Sequence, residues 1–207
     1  ERPWGKYPAE HLIRSVMRAY RDPAERARST ALELGCGAGA NLSFLLAEGF
    51  QTYGMDGAPS AIEKARARLS AAKGQTLDLR VQTFETLDYP AASFDLIVDY
   101  FAIYANRNSV INKTYDAARA LLAPGGRFYT RVWGTGCTGA NSGEMIEPGT
   151  SQNPTAGPCK DMGVSHFFTR DELESRFASW GNVQITRVLT EDFNGDTIEE
   201  FAVWVQV

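Results

Sequence analysis

Apolar residues change their spacing along this chain in a regular way, and each change predicts an element. Leu12, Ile13, Val16, Met17 and Tyr20 recur at helical spacing before Pro23, which predicts an N-terminal amphipathic helix. Short apolar runs then alternate with helical patterns. Ala31–Leu34, Thr52–Met55, Leu77–Val81, Phe94–Val98 and Arg127–Val132 read as five strands. Between them, Asn41–Glu48 reads as a helix closed by Gly49, and Val110–Leu122 as one stopped by Pro124-Gly125-Gly126. Ser60-Ala61-Ile62-Glu63 has the form of a capping box, with Ile62, Ala65 and Leu69 facing inward on the helix it opens. Strand and helix in alternation build a parallel sheet, and the unbroken apolar run Phe94–Val98 suits its centre.

The alternation then stops. Residues 134 to 163 are rich in Gly, Pro, Thr and Asn and keep no period. So long an irregular stretch inside a compact domain is expected to be a lid or loop, taken here as 134–166. Thr169-Arg170-Asp171-Glu172 opens a further helix with Leu173 and Phe177 inward, and Val183–Leu189 and Glu200–Val207 read as an antiparallel pair. The expectation is one domain over 1–207 with an N-terminal helical segment over 1–29. It is an α/β fold with a doubly wound, mostly parallel seven-stranded sheet, a C-terminal antiparallel hairpin and helices on both faces.

The turn after the first strand carries the strongest chemical signal. In Leu32-Glu33-Leu34-Gly35-Cys36-Gly37-Ala38-Gly39-Ala40-Asn41 a strand meets three alternating glycines and turns into a helix. Glycines there let the backbone approach a ligand that any Cβ would push away. Glu33 places a carboxylate beside the same pocket, which repels a pyrophosphate and attracts a ligand carrying an ammonium and a sulfonium. Spacing alone leaves both ligands open. Gly35-x-Gly37-x-x-Ala40, with Asp56 beyond, also satisfies the dinucleotide pattern of an NAD(P)-dependent oxidoreductase, although no Tyr-x-x-x-Lys pair accompanies it.

Composition narrows the classes. The net charge is −4 over 207 residues and no basic block occurs, which argues against a nucleic-acid partner. Arg14, Arg18, Arg21, Arg26 and Arg28 interleave with Glu10, Asp22 and Glu25, as expected of a solvated helix face. No membrane span or apolar signal core is visible, so a cytoplasmic location is expected. Cys36, Cys137 and Cys159 are odd in number and lack a CxxC spacing, which fits reduced thiols. With only His11 and His166 available, no metal site is expected.

Four segments in order resemble the class I S-adenosylmethionine-dependent methyltransferases: Glu33-x-Gly35-x-Gly37-x-Gly39, Asp56 at the end of the second strand, Phe94-Asp95-Leu96-Ile97-Val98, and Leu121-Leu122-Ala123-Pro124-Gly125-Gly126. The resemblance runs from Thr30 to Val207 and implies a Rossmann-like sheet. It further implies methyl transfer from S-adenosyl-L-methionine, leaving S-adenosyl-L-homocysteine, to a small-molecule acceptor. Glu33, Gly35, Cys36, Gly37 and Gly39 are then expected at the methionine portion, with the Cys36 N–H contributing. Asp56 is expected on the ribose, Gly57, Thr83 and Phe84 near adenine, and Asp99 next to the transferable methyl. Thr83 stands where relatives often carry an acid.

Tyr7, Tyr100, Tyr104, Arg131, Trp133 and His166 sketch an acceptor pocket near strand ends and the lid, with His166 and Asp99 as candidate catalytic groups. The Asn/Asp-Pro-Pro motif of nucleic-acid methyltransferases is absent after the fourth strand, where Asp99-Tyr100-Phe101-Ala102 stands. Trp4 and Tyr7 are placed to fold over the cofactor. A non-catalytic domain that binds S-adenosylmethionine is a third alternative, and a monomer or homodimer is expected.

Overall fold

The central strands align their C-terminal ends because the chain crosses back over the sheet between them, through a helix after the first, second and fourth strands. The computed structural model describes residues 5–70 and 74–207. In chain order these are α1 (Glu10–Ala19), α2 (Pro23–Arg28), β1 (Thr30–Leu34), α3 (Ala40–Ala47), β2 (Gln51–Asp56), α4 (Pro59–Leu69), β3 (Leu77–Val81), β4 (Phe94–Tyr100), α5 (Asn108–Leu121) and β5 (Leu122–Trp133). There follow β6 (Glu144–Glu147), β7 (Thr150–Gln152), β8 (Val164–His166), α6 (Arg170–Phe177), β9 (Asn182–Glu191) and β10 (Thr197–Gln206).

The main sheet has seven strands in the order β3-β2-β1-β4-β5-β10-β9. Strands β1 to β5 run parallel, and β10 is antiparallel to both β5 and β9. This is the expected Rossmann-like, mostly parallel sheet with its C-terminal hairpin. The chain leaves β1 toward β2 on one side and is met by β4 on the other, with Leu34 opposite Asp99. That reversal opens a crevice beyond the strand ends, where open α/β sheets take their ligands.

Alternation along the strands divides the core. Ala31, Leu96 and Val98 pack with buried residues of α1, α3 and α4, whereas Leu32, Leu34 and Ile97 pack with those of α5 and α6. Burying such side chains contributes about 1.5–3 kcal/mol each.

Several local expectations change. Helix α4 begins at Pro59 with Ala58 as a cap that makes no side-chain bond, so Ser60 does not cap it; the carboxylate of Asp56 receives the Ala58 N–H instead, at 2.9 Å. Pro23 opens α2 rather than merely following a stop, with Asp22 accepting from the Ala24 N–H. Arg26 does not join a solvated face. It is buried, donating to the carbonyls of Tyr20, Arg21 and Glu48 and pairing with the Glu48 carboxylate.

The 134–166 stretch, expected to be irregular, contains a three-stranded antiparallel sheet in the order β6-β7-β8. Its Cys137, Ala140 and Cys159 are buried in the same cluster as α5 and α6. Main-chain N–H groups of Gly134 and Thr138 donate to the carbonyls of Glu199 and Thr197, and that of Thr135 to Phe168, which ties the stretch to β10 and the start of α6. Trp4 lies outside the described residues.

Candidate functional site

A cavity of about 640 Å³ occupies the crevice between the ends of β1 and β4. Its walls come from the 5–9 segment, the Gly35–Asn41 turn, Asp56–Ala58, Phe84, residues 100–105 and Met162. A second cavity of about 270 Å³ adjoins it, sharing Gly57 and Phe84 and adding Gln82, Thr83 and Asn106.

The first wall is shaped by glycine. Gly35 has φ +68°, and a Cβ there would lie 2.3 Å from the Cβ of Ala102, so the β1 turn and the turn after β4 touch only because that atom is missing. Gly39 acts differently from expectation: it lies outside the cavity wall, where a Cβ would press on Ala65 of α4 at 3.1 Å. It serves the close approach of α3 and α4.

The N–H groups of this turn are already engaged. Cys36 donates to the Met55 carbonyl at 2.9 Å, Gly37 to Asp56 Oδ2 at 2.9 Å, and Gly35 to the Met55 sulfur at 3.4 Å. The expected use of the Cys36 N–H toward a ligand is therefore corrected. At Gly35, Cys36 and Gly37 the turn offers surface to a ligand and no free N–H donor.

Charge at this end comes from two acids. Glu33 is 3% exposed and lines the cavity; its Oε1 accepts from Asn41 Nδ2 at 2.8 Å, while Oε2 has no partner among the described residues. Burial, with the nearby negative charges of Asp99 and Asp56, pushes its carboxyl up to about 8 against the opposing Asn41 bond. Burial favours the neutral form of this acid, and a cation brought beside it would favour the carboxylate. Asp56 also lines the cavity, giving one oxygen to Gly37 N–H and the other to Ala58 N–H. Each oxygen retains acceptor capacity for a hydroxyl.

Tyr7, Tyr100, Tyr104, Gly57 and Phe84 all line the cavity, and Thr83 lines the adjoining one. The remaining nominations fall elsewhere. Asp99 is fully buried, with Oδ1 accepting from the N–H groups of Ala102 and Ile103 at 3.1 and 3.0 Å and Oδ2 from Thr130 Oγ1 at 2.5 Å. Burial raises its carboxyl to about 6 despite those three bonds. It folds the turn after β4 and is not among the residues that line the cavity.

His166 is 1% exposed, with Nδ1 2.7 Å from Thr150 Oγ1 and Nε2 2.9 Å from Glu172 Oε1. Both nitrogens are occupied away from the cavity, so it ties β7 to α6 and is no base for this site. Arg131 is buried and forms an ion pair with Glu200, and it is not among the residues that line the cavity. Trp133 stands behind the wall, stacked on Phe101.

Other contributors carried weaker signals. Asn41, the partner of Glu33, stood in the glycine segment. Phe101 stood in the quoted Asp99-Tyr100-Phe101-Ala102 run. Met162 had no periodic signal at all. Among the described residues no group of three His, Cys, Asp or Glu side chains is placed to hold a metal ion, and no helix is long and apolar enough to cross a membrane.

Comparison with known proteins gives concordant findings. A family profile described as "Methyltransferase domain" matches residues 31–126, from β1 to the start of β5. Aklanonic acid methyltransferase DauC of Streptomyces sp. (strain C5) is 40% identical over 76 residues, 35% of this chain and 34% of that enzyme. The match thus spans about a third of the curated relative's length. Among solved structures, a SAM-dependent methyltransferase from Methanosarcina mazei superposes with a TM-score of 0.74 at 18% identity, covering 96% of this chain and 98% of that one. Magnesium protoporphyrin IX methyltransferase from Synechocystis PCC 6803, with bound SAM, gives 0.62 at 13% identity, covering 93% and 78%. These structural likenesses establish the fold.

Proposed function

We propose that this chain is a class I S-adenosylmethionine-dependent methyltransferase that transfers a methyl group to a small-molecule acceptor, a reading supported by the methyltransferase-domain match over residues 31–126 and by the fold. The observation that carries the proposal is the unpartnered Glu33 oxygen, held 3% exposed on the wall of a cavity that an ammonium-bearing cofactor would complete. When bound, S-adenosylmethionine supplies a methyl group that is already electrophilic, so the protein's task is alignment.

In this reading Glu33 receives the ammonium while Asn41 fixes the carboxyl's rotation. Asp56, oriented by two main-chain N–H groups, accepts the ribose hydroxyls. Phe84, on the wall of both cavities, packs on the adenine. Tyr7, Tyr100 and Tyr104 surround the acceptor, and the 134–166 stretch contributes Met162 to its far side. Transfer is a single displacement. The acceptor's lone pair makes the new bond to carbon as the carbon–sulfur pair returns to sulfur, and any acceptor proton leaves to water.

The oxidoreductase alternative is disfavoured by the same geometry. Two carboxylates and a turn whose N–H groups are spent make a poor host for pyrophosphate. The aklanonic acid relative supports a small organic acceptor. The acidic balance and free cysteines support a cytoplasmic chain without a nucleic-acid partner, acting as a monomer or homodimer.

The test is a thermal-shift titration with S-adenosylhomocysteine, NADH and NADPH in parallel. S-adenosylhomocysteine at 100 times its dissociation constant is expected to add about 2.7 kcal/mol, a rise of roughly 5–10 °C for a chain of this size. A rise with a nicotinamide cofactor alone would overturn the proposal.

A further inference from the structure

The residue after β4 has a backbone that its side chain does not favour. Phe101 has φ +53°, the left-handed region, where a bulky residue is strained and persists only if its surroundings impose it. They do so here. Its N–H is held by the Arg131 carbonyl at 3.0 Å, and the next two N–H groups are both captured by Asp99 Oδ1. Glycine would occupy this position without strain, yet the chain places a phenyl ring there.

That ring lies on the wall of the main cavity, backed by Trp133 at 4.0 Å between centroids and 23° between planes. Tyr100 and Tyr104 meet it edge-on at 5.0 and 6.4 Å, and both line the same cavity. Across the site stands Met162, whose flexible thioether adapts to a flat ring. No Lys, Arg or His occurs among the described residues of this wall, and its two acids, Glu33 and Asp56, are assigned above to the cofactor. A carboxylate or phosphate on an acceptor would meet no counter-charge there. A planar aromatic face finds several partners.

Resting on the methyltransferase reading, we propose that Phe101 determines acceptor specificity and that the acceptor is a planar, uncharged aromatic molecule laid against this group of rings. The strain is maintained because it presents the ring to the acceptor.

The experiment titrates 2-naphthol and its anionic counterpart 2-naphthoate, followed by fluorescence at pH 7 with S-adenosylhomocysteine saturating. Wild type, Phe101→Ala, Phe101→Leu and Phe101→Tyr are compared, each with its thermal midpoint and its S-adenosylhomocysteine affinity. Saturable binding of 2-naphthol is expected in wild type and in Phe101→Tyr. Both aliphatic variants should bind it at least tenfold more weakly, with S-adenosylhomocysteine affinity unchanged within twofold. Binding of 2-naphthoate should be at least tenfold weaker than that of 2-naphthol.

No saturable 2-naphthol binding to wild type, or equal binding by wild type and Phe101→Leu, overturns the proposal while normal S-adenosylhomocysteine affinity leaves the methyltransferase reading standing. Equal binding of naphthoate and naphthol also overturns it. Failure of wild type to bind S-adenosylhomocysteine overturns both.

Discussion

The ends of β1 and β4 lie side by side, and each buries an acid there, Glu33 on one and Asp99 on the other. The sequence nominates both for function. Their surroundings separate them. Asp99 accepts three hydrogen bonds and both its oxygens are used. Glu33, which lines the cavity, accepts one, and its second oxygen is buried without a partner among the described residues. A buried acid with all its bonds made stabilises a turn, whereas one left incomplete marks where a ligand belongs. Proximity to the site does not tell the two apart; the count of satisfied acceptors does.

The comparison breaks most visibly at Asp99. Asp99→Ala strands the N–H groups of Ala102 and Ile103 and the Thr130 hydroxyl in a dry interior, with an expected loss of about 3 kcal/mol. Urea unfolding measures it directly. A loss below ~1 kcal/mol would mean that those bonds are not what Asp99 is for. Glu33→Gln, by contrast, removes no completed ion pair and should leave stability at pH 7 unchanged or improved.

Asp56 stands between the two, with one main-chain bond on each oxygen and capacity remaining. Asp56→Ala is expected to weaken S-adenosylhomocysteine by about 30-fold, or ~2 kcal/mol, as read by isothermal titration. Unchanged affinity would remove the ribose assignment.

His166 extends the same logic to a base. Both its nitrogens have partners, so His166→Ala should cost about 1–2 kcal/mol of stability while leaving S-adenosylhomocysteine affinity within twofold. A stable variant with impaired cofactor binding would return His166 to the site.

What was legible in the sequence follows the range of the interactions. The cofactor end is built largely from Glu33–Asn41, eight residues of separation at most, so spacing alone located it. The acceptor end joins Tyr7, Phe101 and Met162, and only the folded chain brings them together. The strands from β1 to β5 were legible because burial imposes a period. The β6–β8 sheet was not, because its strands are only three or four residues long and the surrounding stretch is held by long-range bonds such as Gly136 N–H to the buried Glu199 carboxylate. Arg26 misled because its charge pattern looked solvated, although three carbonyls were waiting for its guanidinium. Arg131 and His166 misled because position near a strand end says nothing about the direction a side chain takes.

The sharpest probe of the comparison is the pH dependence of Glu33, because it is read as a slope. The Glu33 carboxyl is raised by burial to about 8 in the folded protein, whereas the unfolded chain ionises in the ordinary glutamate range. Between those limits the folded state holds a proton that the unfolded state has lost, so stability falls as pH rises through the window. Asp99, raised to about 6, adds a slope of the same sign that ends lower. Above pH 6 the remaining decline should therefore belong largely to Glu33. Urea unfolding at pH 6, 7 and 8 is expected to show it in wild type and to show it flattened in Glu33→Gln. Affinity for S-adenosylhomocysteine should move the opposite way, rising several-fold from pH 6 to 8 in wild type as the acid becomes free to meet the ammonium, with no such rise in Glu33→Gln. Parallel slopes in the two proteins would show that the unpartnered oxygen is not the group that the cofactor completes.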